Sequence, residues 1–154
     1  MEEQKSQAPH SFDPTCLLSE GIYTIPEGVT EIAEGVTEIA EGGFKNQEGL
    51  ENINIPGSVK RIGFQAFAYC KNLKHVTLPE GLELIGDYAF SVSGLKSINI
   101  PRSVTSVGEW AFYSCTSLKH VTLHEGLEVR GESAFDGSGL ESIIIPKSVK
   151  IIGE

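Results

Sequence analysis

Short bursts of alternating apolar and polar residues recur along this chain. Val76-Thr77-Leu78 is one, at the end of an L-x-x-V-x-L stretch, and it predicts a half-buried strand. Proline follows at once, and proline cannot continue a ladder, so the strand is expected to end there. The same sequence of events returns again and again. Aligned on the Ile-Pro or its equivalent, the units start at Pro26, Pro56, Pro79, Pro101, His124 and Pro146, with steps of 30, 23, 22, 23 and 22 residues. A near-constant period in this range predicts a solenoid of stacked turns.

Two unit types alternate. IPGSVKRIGFQAFAYCKNLKHVTL (55–78) and IPRSVTSVGEWAFYSCTSLKHVTL (100–123) are long forms. LPEGLELIGDYAFSVSGLKSINI and LHEGLEVRGESAFDGSGLESIII are short ones, so the underlying duplication is about 45 residues. Columns run through all of them: Phe67, Phe90, Phe112 and Phe135; the alanines before them; Leu50, Leu73, Leu95, Leu118 and Leu140; and Gly63, Gly86, Gly108, Gly131 and Gly153. The glycines are expected where φ is positive or a side chain does not fit. The G-x-x-A-F segment is expected to make a short helical turn that sends Phe inward. One unit cannot cover its own apolar face, so stacking supplies the core.

The seven residues EGVTEIA occur twice without change, at 27–33 and 34–40. The first step exceeds 23 by this heptad. Removing one copy places Phe44 eleven residues after Pro26, matching Phe67 after Pro56 (44 − 26 − 7 = 11; 67 − 56 = 11). The heptad is therefore a tandem duplication inside an ordinary repeat. Val29 or Val36 corresponds to Val59, and Ile32 or Ile39 to Ile62. Either copy fits the solenoid, and the surplus one is expected to bulge on the convex side, at a closure cost on the order of 1 kcal/mol.

The string I-P-x-S-V-x-x-I-G-x-x-A-F-x-x-C-x-x-L-x-x-V-x-L resembles the BspA-like, or Treponema-type, leucine-rich-repeat family over residues 22–154. The resemblance implies a right-handed leucine-rich-repeat solenoid. It would carry a parallel concave sheet of about six short strands, with short helical turns and loops on the convex side. Members are mostly bacterial and protozoan surface proteins linked to adhesion and binding, with no catalytic residues to carry over. Residues 1–21 are read as an N-terminal segment, partly disordered and then capping; the stretch CLLSEGIY, with Cys16, is expected to cover the first unit through Leu17, Leu18, Ile22 and Tyr23. The last repeat, at IIGE, is incomplete.

In L-x-x-V-x-L the x positions face outward and form rows about 4.8 Å apart from strand to strand. They are Glu51, Lys74, Lys96, Lys119, Glu141; Asn52, His75, Ser97, His120, Ser142; and Asn54, Thr77, Asn99, Thr122, Ile144. The candidate binding residues are Lys74, His75, Thr77, Lys96, Ser97, Asn99, Lys119, His120 and Thr122. The lysine stripe reads either as a docking site for an acidic protein segment or glycan, or as a solvated face that discourages aggregation.

Net charge is −9, which disfavours nonspecific binding to nucleic acid or an anionic membrane. No signal-peptide pattern opens the chain, so as written it is expected in the cytoplasm, although the resembled family is often at the cell surface. Neither a metal nor another cofactor is expected. His75 and His120 lie two strands apart, too far to share one zinc ion, and His120 and His124 lack the helical spacing of a H-E-x-x-H site. Cys70 and Cys115 share a column with Ser93 and Ser138 between them. They are read as small buried core residues, too far apart for a disulfide. Arg130 falls in the column of Ile62, Ile85, Val107 and Ile152. Either Val129 turns inward in its place or the arginine reaches the surface. No nucleophile elbow, P-loop or dinucleotide fingerprint is present, so no enzyme activity is expected. The functional expectation is an adhesion-type module binding a protein or glycan on its concave face. The alternative is a scaffold that self-associates, as a homodimer, through an uncapped C-terminal end at Ile151 and Ile152.

Overall fold

The computed structural model describes residues 32–130 and 132–152, with backbone alone at Val129, Arg130, Glu132 and 150–152. Ten short strands follow in chain order. They are β1 (Glu38–Ile39), β2 (Asn52–Asn54), β3 (Arg61–Ile62), β4 (His75–Thr77), β5 (Leu84–Ile85), β6 (Ser97–Asn99), β7 (Ser106–Val107), β8 (His120–Thr122), β9 (Glu128–Arg130) and β10 (Lys150–Ile152). All pairings are parallel, between successive turns of a solenoid.

The six-stranded sheet runs β1-β3-β5-β7-β9-β10 and is built from the V-x-x-I-G segments. The L-x-x-V-x-L strands form two shorter sheets, β2-β4 and β6-β8. A single main-chain bond, Lys96 N–H to the Lys74 carbonyl at 3.2 Å, carries the line across the gap between them. The longest ladder thus lies on a different side of each turn from the one the sequence pattern suggests. Its glycines explain the close stacking. A Cβ on Gly63 would sit 2.8 Å from the Ile39 carbonyl oxygen, and one on Gly86 would sit 2.8 Å from that of Ile62. Only residues without a side chain let the turns approach this closely. On the other side, the sheet breaks between β4 and β6.

The G-x-x-A-F segments close each turn with hydrogen-bonded bends. Among the described residues only Glu132–Phe135 is a 3-10 helix. The reason is local. Gln65, Tyr88 and Trp110 share a column and have φ of 53°, 56° and 57°, which interrupts a right-handed helix. Asn46, Tyr69, Val92 and Ser114 form a second left-handed column, continued by Gly137. Bonds between turns hold this geometry: Phe44 N–H to Ala66 O at 2.7 Å, Phe67 to Ala89 at 2.7 Å, Phe90 to Ala111 at 2.8 Å and Phe112 to Ala134 at 2.7 Å.

Inside, Phe44, Phe67, Phe90, Phe112 and Phe135 stack in one file, with centroids 4.9, 5.1, 5.4 and 5.2 Å apart and planes within 12°. Burial of the apolar columns is the main stabilising term, and offset aromatic pairs add to it. Cys70 and Cys115 are buried free thiols. Cys70 Sγ donates to the Phe44 carbonyl at 2.9 Å, and Cys115 Sγ donates to that of Phe90 at 3.1 Å. Burial pushes the Cys70 thiol up to about 11, and that of Cys115 also upward.

The alternation of unit types has a physical cause. Long units carry serine and short units carry a left-handed glycine, and the two meet between turns. The hydroxyls of Ser58, Ser103 and Ser148 accept from the N–H of Gly35, Gly81 and Gly126 at 3.2, 2.9 and 2.6 Å. Hydrogen bonds from Ser148 also hold the Glu125 carboxyl below its usual range.

The second heptad copy occupies the solenoid. Val36 and Ile39 are buried, Ile39 pairs with Ile62, and Gly35 bonds Ser58. The expected bulge of the first copy and the N-terminal cap lie outside the described residues, although Ile32 packs against the core. Near the other end the register shifts by one. Val129, not Arg130, pairs with Val107, and Arg130 pairs with Ile152. Arg130 thus keeps the register of Ile152, while Val129 takes the place beside Val107, the first of the two arrangements the sequence allowed; the chain seats an apolar residue there and avoids a charge. The Arg130 side chain lies outside the described residues.

Candidate polar interface and family

The L-x-x-V-x-L strands present their outward residues in register. Asn52 lies beside His75 and Asn54 beside Thr77; Ser97 lies beside His120 and Asn99 beside Thr122. His75, Thr77, Lys96, Ser97, Asn99, Lys119, His120 and Thr122 are exposed, and Lys74 is half-buried. Strand alternation produces this, since Ile53 and Ile98 between them are buried. All nine predicted residues therefore lie on one surface.

The electrostatics differ from the expected basic stripe. Lys74 Nζ pairs with Glu51 at 3.1 Å. Lys119 Nζ lies 3.8 Å from Glu141 and donates to the Gly139 carbonyl at 3.0 Å. Lys96 has no ion pair among the described residues. The five-residue row has three lysines and two glutamates, a net +1 (3 − 2), with its ends neutralised. His124 Nε2 lies 3.4 Å from Asn99 Oδ1 at the border of the face. What remains is a nearly neutral array of hydroxyl, imidazole and amide groups. Such an array suits hydrogen bonding better than charge capture.

The repeated turn, the phenylalanine file and the glycine column together match a known repeat. Residues 37–154 match the BspA type leucine rich repeat region in six copies. The chain belongs to the BspA-type leucine-rich-repeat family. Its fold is similar to a leucine-rich cell surface protein from Faecalibacterium prausnitzii, at 32% identity and a TM-score of 0.72, covering 88% of this chain and 41% of that one. It is similar to the pneumococcal vaccine antigen PcpA, at 33% identity and TM-score 0.67, covering 84% and 36%. The Treponema pallidum leucine-rich-repeat protein matches at 27% and TM-score 0.59, covering 80% and 73%. The chain thus spans well under half of the first two structures. A comparison with curated proteins found no match.

The sequence pattern did not reveal the second long face of this BspA-type chain. The outer side of the six-stranded sheet carries Glu38, Arg61, Leu84, Ser106 and Glu128 in one row. The signal lay in the x positions of V-x-x-I-G, which repeat as regularly as those of L-x-x-V-x-L. The side chains of Ile151 and Ile152 lie outside the described residues.

Proposed function

We propose that this BspA-type repeat is a non-enzymatic binding module that holds a protein or glycan partner on its L-x-x-V-x-L face. The observation that carries the reading is the in-register exposure of His75, Thr77, Lys96, Ser97, Asn99, His120 and Thr122 on parallel strands. Rigid strands fix these donors and acceptors in advance, which lowers the ordering cost of binding. The near-neutral charge of the lysine row favours a hydroxyl-rich or polar partner over an acidic one. The similarity to a leucine-rich cell surface protein from Faecalibacterium prausnitzii is in keeping with an interaction module of surface type.

Arrayed oligosaccharides and peptides, probed with the wild type and with a His75→Ala/Lys96→Glu/His120→Ala variant, test this. Signals present in the wild type and lost in a variant that melts normally support the face as the site. Equal signals from both proteins, or none from either, reject it. A second reading, self-association near the C-terminal end, rests on Ile144 and Ile145, which are 87% and 45% exposed. Mass measured by light scattering over a wide concentration range decides it: a constant monomer removes this reading.

A further inference from the structure

The outer face of the six-stranded sheet is hollowed along the solenoid axis. Gly63, Gly86 and Gly108 form its floor, because the backbone of the preceding turn leaves no room for a Cβ there. The row containing Glu38, Arg61 and Glu128 makes one wall. Glu41, Phe64 and Asp87, which follow the floor positions, make the other. The groove measures about 840 Å³. The second wall is backed by an aromatic ridge. Phe64 meets Tyr88 edge-on at 5.9 Å, Tyr88 stacks on Trp110 at 6.0 Å, and Trp110 meets Tyr113 edge-on at 4.9 Å. Asp87 is fixed as well, since its Oδ1 accepts from Glu109 N–H at 2.9 Å.

Four carboxylates and one guanidinium line this groove, a net −3 (1 − 4). Neither of the two ion pairs among the described residues involves these carboxylates; both lie on the polar face. Glu38 and Glu41 share the first described turn; Asp87 lies two turns further on and Glu128 four. At about 4.8 Å per strand, Glu41 and Asp87 are roughly 10 Å apart, and Glu38 and Glu128 roughly 19 Å. One divalent cation with ligands about 2.4 Å away cannot bridge such gaps. The main-chain groups of the floor are spent on the ladder, so a ligand must be recognised by its side chains.

We infer that this groove binds an extended basic peptide segment, with lysines or arginines about three residues apart. A chain in the extended polyproline II conformation advances roughly 3.1 Å per residue and returns to the same face every three residues, so such a spacing delivers successive cations to Glu41 and Asp87, and a third toward Glu128. Arg61 opposes a cation on its own turn and selects an uncharged residue there. Phe64, 40% exposed, supplies the apolar surface that such a residue covers. This site lies on a different face from the proposed polar interface, so the failure of either leaves the other standing.

The probe is the acetylated, amidated heptapeptide Lys-Leu-Ala-Lys-Ala-Ala-Lys, with a counterpart carrying glutamate in place of each lysine. Trp110, the single tryptophan of the chain, stands beside the groove wall and reports binding by fluorescence. The basic peptide is expected to bind and the acidic one not. Asp87→Asn/Glu128→Gln is expected to weaken binding about tenfold, and added salt to weaken it further. The charge-matched Glu48→Gln/Glu80→Gln variant, altered outside the groove, is expected to bind as the wild type does. Equal weakening by both double variants means attraction to overall negative charge and overturns the inference. So does an absence of binding. Mass that grows with concentration and reverts in Lys96→Glu would identify a second copy as the occupant and also overturn it.

Discussion

The two long faces of this solenoid share one core and one stacking distance, yet they treat charge differently. On the polar face, Lys74 and Lys119 find glutamates one turn away, and the row cancels to within one charge. On the groove face, Glu38, Glu41, Asp87 and Glu128 find no cation at pairing distance among the described residues. The backbone is crowded on both faces. A Cβ on Gly86 in the groove would sit 2.8 Å from the Ile62 carbonyl oxygen, and one on Gly94, just before the polar strand β6, would sit closer still to that of Lys71. Gly49 and Gly57, which flank the polar strand β2, have nothing within 4 Å of where a Cβ would stand. A repeat protein stacks similar elements, so the residue types in each outward row decide whether the charges of a face cancel or accumulate.

Four substitutions or conditions test that contrast, in descending size of effect. Gly86→Ala forces a methyl to within 2.8 Å of the Ile62 carbonyl and 2.9 Å of Gly63 C, both backbone atoms that cannot rotate away. It is expected to lower unfolding free energy by about 1–3 kcal/mol in urea titration. An unchanged midpoint would break the claim that glycine sets the stacking on this face.

Alkaline pH tests the core beneath both faces. The folded-state pKa of Cys70 is raised to about 11 by burial, from an ordinary 9.0. The neutral thiol is the form the fold prefers. Its contribution is therefore fully present below pH 9 and is lost as pH rises through about 11, a decline on the order of 2 kcal/mol. Cys70→Ala, compared with the wild type across that window, is expected to flatten the decline. Equal slopes would show that the thiol does not drive it.

Gly57→Ala serves as the counterpart of Gly86→Ala. Its φ is not left-handed and the space is open, so stability is expected to hold or rise by about 0.5 kcal/mol. The smallest change belongs to the charges of the polar face. Lys74 and Glu51 keep 43% and 60% of their side-chain surface exposed, so Glu51→Gln is expected to shift stability by less than about 0.5 kcal/mol. A loss several times larger would mean that this pair organises the face, and that its neutral character is built in.

Much of the architecture was legible because a repeat writes each structural demand several times. The phenylalanine, leucine and glycine columns each mark a buried or crowded site, and the stacked rings and blocked Cβ positions stand where those columns put them. The cysteines read as buried thiols are buried and free. The nine candidate binding residues were legible as one surface. Their electrostatics were not, because pairing Lys74 with Glu51 depends on rotamers across a turn boundary. The left-handed Tyr69, Val92 and Trp110 were also hidden, since neither an aromatic nor a β-branched residue announces positive φ.

By itself the sequence determined the period, the inward columns, the alternation of two unit types and the fact that one heptad is surplus. These follow from composition at fixed spacing, which local chemistry governs. The tertiary structure decided which heptad copy is seated, that Val129 pairs with Val107, that the longest ladder lies along V-x-x-I-G, and that a charged groove opens beside it. Each of these is a choice between arrangements of nearly equal local propensity. Contacts between turns separate them: a serine hydroxyl on the Gly35 N–H, a carbonyl where a Cβ would stand, and an apolar neighbour in place of a charge.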